Sequence, residues 1–143
     1  MSEENRAVIR RVIAELWNDG KIEVIDELYA PDYRDRSAGL PPDITPDREG
    51  QKQFVQVFRG AFPDLVGAVE DEIAGGDKVV IRWSAQGTHR GEFFGIPATG
   101  KSISITGTSV YRIAGGKIAE EWTQGDMLGL MTQLGAIPEM ATA

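Results

Sequence analysis

Apolar positions along this chain change period about midway, from helical spacing to strand alternation. Ile9, Val12, Ile13, Leu16 and Trp17 recur at helical spacing, with Arg6, Arg10, Arg11 and Glu15 opposite. Residues 3–17 therefore read as an amphipathic helix with one apolar stripe. Asn18-Asp19-Gly20 ends it, Gly20 supplying the left-handed cap residue. A second short helix over 22–29 buries Ile25, Leu28 and Tyr29, and Pro31 follows soon after its end. Residues 32–45, with Gly39 and Pro41-Pro42, read as a loop long enough to close over a site. A third helix starts with Thr45 as its cap and Pro46 in its first turn. It carries Phe54, Val57, Phe58 and Ala61 on its apolar stripe and stops at Phe62-Pro63-Asp64.

The second half alternates. Strands are expected over 65–73 and 78–89, parted by Gly75-Gly76-Asp77. After an apolar turn, Phe93-Phe94-Gly95-Ile96-Pro97, two more strands flank a tight Ala114-Gly115-Gly116-Lys117 hairpin. In the first of these, Ile103, Ile105, Gly107, Ser109 and Tyr111 share one side, and Ser104, Thr106, Thr108 and Val110 the other. Asp126 caps a last helix over 127–134, closed by Gly135, and the tail from Ala136 is expected to fray. Three helices, four strands in meander order and a short helix make an α+β fold. The sheet is too short to close as a barrel, so it should curl around the N-terminal helices and enclose an apolar cone, as one domain over 1–143.

Composition narrows what such a fold can do. Of 143 residues, 41% are hydrophobic and 26% charged, which is the balance of a globular protein. The net charge of −7 argues against nucleic-acid binding, which wants a basic face. No run approaches the ~20 apolar residues of a membrane span, and residues 1–5 lack the apolar core of a secretion signal. No membrane partner and a cytoplasmic setting are expected. With no cysteine and one histidine, neither a thiolate nor a His-rich metal site is available, and no metal is expected. The glycine spacing lacks the strand–loop–helix context of a phosphate loop.

Particular residues carry a resemblance. They are Trp17…Gly20, Ala30-Pro31-Asp32-Tyr33, Ala61-Phe62-Pro63-Asp64, Gly87-Thr88-His89…Gly91-Glu92-Phe93, Gly95-Ile96-Pro97…Thr99-Gly100-Lys101, Gly116-Lys117-Ile118, Trp122 and Asp126…Gln133-Leu134-Gly135. Together they span nearly the whole chain, which resembles the SnoaL-like polyketide cyclases of the nuclear-transport-factor-2-like superfamily. The resemblance implies a cone fold, a homodimer through the outer sheet face, no cofactor and a hydrophobic small-molecule ligand. It also implies intramolecular aldol ring closure, with an aspartate of the last strand as acid/base. That position falls on Thr123 here. The family's neighbouring histidine falls on Ser109, its glutamine on Gly107, its helix-end tyrosine on Trp17 and its pocket asparagine on Asp35, and Arg36 stands where many relatives have histidine.

Enolate chemistry without a cofactor needs a base in a dry pocket and donors for the developing oxyanion. Glu121 shares the strand parity of Thr123, which makes it the first catalytic candidate. The alternative is a solvated glutamate beside Glu120. Asp35, in the loop that could close the cone, is the second, unless it pairs with Arg34 or Arg36. Ser109, Thr123 and Tyr33 are the expected hydrogen-bond donors. Trp17, Phe54, Phe58, Trp83 and Tyr111 are core residues that would also wall a pocket. His89 is expected at a strand end, structural or lining the entrance, and Trp122 on the outer face. Two functions stay open: a cofactor-independent acid/base enzyme on a polyketide-like or cyclic ketone substrate, or a binding or dimerisation module without the cyclase aspartate.

Overall fold

A computed structural model describes residues 2–137. The first helix, α1 (Ser2–Arg11), continues without a break into a π-helical segment, Val12–Asn18. There the hydrogen bonds widen to five-residue spacing, as in Asp19 N donating to Ala14 O at 3.1 Å. Gly20, at φ +71°, turns the chain away as expected. The second helix, α2, is only Val24–Leu28.

The largest departure from the sequence reading follows at once. Tyr29 does not end a helix and Asp32 does not begin a loop; Tyr29–Asp35 is a strand, β1. It lies parallel to the last strand, with Arg34 opposite Glu120 and Asp35 opposite Glu121. Proline and alternating charges mask it in the sequence, and Pro31 is tolerated because β1 is an edge strand. The third helix, α3 (Arg48–Ala61), is capped by Asp47, whose Oδ1 accepts from Gly50 N at 2.9 Å. The expected cap, Thr45, instead donates its hydroxyl to Asp47, so the helix starts two residues later.

Strands β2 (Val66–Gly75), β3 (Lys78–Thr88), β4 (Ser102–Ala114) and β5 (Lys117–Gly125) follow, then α4 (Met127–Gln133). The sheet runs β1-β5-β4-β3-β2, antiparallel except at β1, so it has five strands rather than four. It curls around the helices without closing, an α+β cone. Asp126 caps α4 through Gly129 N at 2.8 Å, as its position predicts. The tail expected to fray lies, from residue 138 on, outside the described residues.

Two buried clusters fill the fold. Ile9, Val12, Leu16, Tyr29, Val79, Ile81 and Tyr111 belong to one, packed between α1, β1 and the sheet. Phe58, Phe62, Phe93, Ile103, Ile105 and Leu130 belong to the other, between α3, the 91–97 turn and α4. Trp17 and Trp83 pack against both, and a hollow opens where they meet.

Candidate active site

The hollow is a cavity of about 190 Å3. Trp17 from the π segment, Phe54 and Phe58 from α3 and Trp83 from β3 form its aromatic wall. Trp17 meets Phe54 and Phe58 edge-on, at 6.3 and 5.9 Å between ring centroids, which holds the wall in one arrangement. Gly39, Leu40 and Pro41, from the segment after β1, border the same space, as a closing loop should. Glu121, Asp35, Ser109, Tyr111 and Thr123 bring polar atoms to it from the neighbouring strands β1, β5 and β4. Among the described residues lining the cavity there is no lysine, arginine or histidine.

Strand parity delivers Glu121 to the inside. Glu120 and Trp122 point outward from β5, whereas Glu121 is 7% exposed. Its two oxygens are held separately. Tyr33 Oη donates to Oε1 at 3.0 Å, and Thr123 Oγ1 donates to Oε2 at 2.7 Å. Burial, reinforced by the charge of Asp35, pushes the Glu121 carboxyl up to about 7, against the opposing pull of the Thr123 and Tyr33 hydrogen bonds. That places it at half-ionisation near neutral pH, where a general base is most useful. The phenols of Tyr29, Tyr33 and Tyr111 are pushed up by burial and next by the Glu121 charge, so they stay protonated donors.

Asp35 sits beside Glu121 in register, and its Oδ1 accepts from Ser37 N at 2.8 Å. Arg36 turns outward and pairs with Glu120 at 2.8 Å, leaving Asp35 to the cavity.

The structure brings together Glu121, Asp35, Trp17, Phe54, Phe58, Trp83, Ser109, Tyr111 and Thr123 around one space. Two expected pocket residues do not line it. Tyr33 is buried behind Glu121, edge-on to Tyr29, and reaches the site only through its hydroxyl. His89 is fully buried at the end of β3, where its Nδ1 accepts from Thr99 N at 3.2 Å and its ring lies against Phe62. It ties down the 99–101 segment, and the entrance role is excluded by that burial. Gln51 was not foreseen: it is 4% exposed and lines the cavity from α3. Its signal was there, since it precedes Phe54 and Phe58 by three and seven residues, a polar residue in an apolar helical row.

Comparison with known proteins agrees with the fold. Residues 7–134 match the family model described as SnoaL-like polyketide cyclase. Aklanonic acid methyl ester cyclase DnrD of Streptomyces peucetius is 30% identical over 132 residues, covering 90% of this chain and 88% of that protein. TsrD from Streptomyces laurentii superposes with a TM-score of 0.84 at 27% identity, over 94% of this chain and 97% of that one. IdmH from Streptomyces antibioticus does so with a TM-score of 0.79 at 34% identity, over 92% and 98%.

Proposed function

The chain belongs to the SnoaL-like polyketide cyclase family, and on that premise we propose that it is a cofactor-independent acid/base enzyme whose base is Glu121. Its substrate is a hydrophobic, polyketide-like or cyclic ketone. The observation that carries this is a buried carboxylate at the wall of an otherwise apolar cavity, held by two donors and poised near neutrality.

The chemistry follows from the arrangement. Ionised Glu121 removes a proton from carbon next to a carbonyl, and the electron pair moves onto that carbonyl oxygen as an enolate. The enolate carbon attacks a second carbonyl of the same molecule, closing a ring, and the new alkoxide takes the proton back from Glu121. Atoms and charge balance within substrate and enzyme, so the cycle runs without a cofactor. Asp35 stands next to the proton-accepting group, and its negative charge favours the protonated form of Glu121, which aids proton capture. The Tyr111 hydroxyl and Gln51 amide are neutral donors for the enolate oxygen. An apolar wall without a cation suits an uncharged ligand better than a free acid.

The match to a cyclase across nine-tenths of the chain favours this over a non-catalytic binding module. The same proposal includes a cytoplasmic homodimer paired through the outer sheet face, where Trp122 is 37% exposed. Incubation with a panel of aromatic polyketide esters, read by mass spectrometry and chromatography, tests the activity. A new product of unchanged mass is expected, made by the native protein and not by Glu121→Gln. Full turnover by Glu121→Gln would remove Glu121 from the base role, and ligand-induced thermal stabilisation without product would favour the binding module.

A further inference from the structure

Thr123 and Ser109 stand where a catalytic pair was expected from the family resemblance, yet their hydroxyls are bonded to each other. Ser109 Oγ and Thr123 Oγ1 are 2.8 Å apart. Trp83 Nε1 reaches Ser109 Oγ at 3.0 Å, and Thr123 Oγ1 reaches Glu121 Oε2 at 2.7 Å. Counting protons fixes the direction of the chain. An indole N–H can only donate, so Ser109 oxygen accepts from Trp83. The one Thr123 proton goes to the carboxylate, so Ser109 must donate to Thr123. Every bond therefore points the same way, from Trp83 through Ser109 and Thr123 into Glu121.

We propose that Trp83, Ser109 and Thr123 form a one-way hydrogen-bond relay that fixes the orientation of the Glu121 carboxylate and favours its ionised form, with Trp83 as a positioning residue. Hydrogen bonds in such a chain polarise one another, so the indole strengthens the last bond without touching the carboxylate. Gly107 makes room for this. It pairs directly with Trp83 across β3 and β4, and a Cβ there would stand 2.3 Å from the Trp83 ring. The indole lies over bare backbone, within reach of Ser109 two residues along β4. Glu121 keeps acceptor capacity for substrate, since a carboxylate has about four lone-pair sites and Tyr33 and Thr123 use two. The other titratable groups acting on Glu121 are Tyr29, Tyr33 and Asp35 from β1 and Tyr111 from β4, and none is a cation.

The relay rests on the proposed role of Glu121 for its purpose, but it can be tested without turnover. Carboxyl carbon NMR follows the titration of Glu121 in the ligand-free protein. Thr123→Val should raise its midpoint by about one pH unit, Ser109→Ala by about half that, and Trp83→Phe by less. Thr123→Ser and Ser109→Thr keep the hydroxyls and should restore the native midpoint. If Trp83→Phe does not fold, Ser109→Ala carries the test, since it breaks the relay one bond nearer the carboxylate and leaves the indole in place. A midpoint that moves only in Thr123→Val reduces the relay to one bond and overturns the proposal. If Glu121→Gln keeps turnover while the graded series holds, the base assignment fails and the relay survives.

Discussion

Glu120 and Glu121 are neighbours on β5, yet the sheet separates them into opposite electrostatic worlds. Outside, Glu120 is gripped by Arg112 and then Arg36, which hold its carboxyl below the usual range. Inside, Glu121 has hydroxyl donors, a second carboxylate and no cation, and burial drives it up to about 7. Identical side chains one residue apart thus serve different ends. Strand parity chooses which face each occupies, and the face decides whether a carboxylate is held ionised by cations or pushed toward neutrality.

Four measurements press on that contrast, and the largest effect belongs to the inner face. Glu121→Gln keeps shape and removes the proposed base, so turnover should fall by about 10²–10⁴-fold in steady-state assays on the identified substrate. Next is stability against pH. Because the folded carboxyl titrates near 7, above its ordinary 4.5, the folded chain holds that proton more tightly than the unfolded one. The stability it contributes is fully present below about 4.5 and is lost as pH rises through about 7, amounting to about 3 kcal/mol. Urea denaturation at pH 5 and pH 8 should show most of that loss in the native protein, and the loss should be smaller by that amount in Glu121→Gln.

A smaller effect is expected at Tyr33→Phe, which removes the donor to Oε1. The acid limb of the pH–rate profile should move up by about half to one pH unit, because a bond to the charged form is gone. Smallest is the outer control. Glu120→Gln weakens two ion pairs on the outer face, away from the cavity, and should leave turnover within about twofold at every pH. A loss there comparable to that of Glu121→Gln would erase the distinction between the two faces.

Much of this could be read before any coordinates. The resemblance put Ser109 and Thr123 at the pocket and strand parity added Glu121 to them, and the register shift between β4 and β5 falls before Glu121, so the parity of 121 and 123 holds. What escaped was decided by contacts distant in sequence. Tyr29–Asp35 contains a proline and three charged positions, and it becomes a strand only because β5 offers it an edge. Tyr33 was expected at the pocket wall, but β1 carries it behind the carboxylate. His89 was expected at a strand end, structural or lining the entrance, and the structural reading holds because the 99–101 segment folds over it. Gln51 went unnoticed because its meaning depends on Phe54 and Phe58 bordering a hollow instead of a filled core.

The π-helical segment Val12–Asn18 has a consequence for how this protein could change over time. A wider turn holds about one residue more than an ordinary one, and Trp17 lies within that stretch. Removing Ala14, which precedes Trp17 and does not line the cavity, would change the winding that sets the direction of the indole, since one residue of regular helix carries about 100° of rotation. The aromatic wall therefore depends on chain length as well as on side-chain identity. A lineage could reshape its ligand chamber there by a single-codon deletion, leaving every lining residue type untouched.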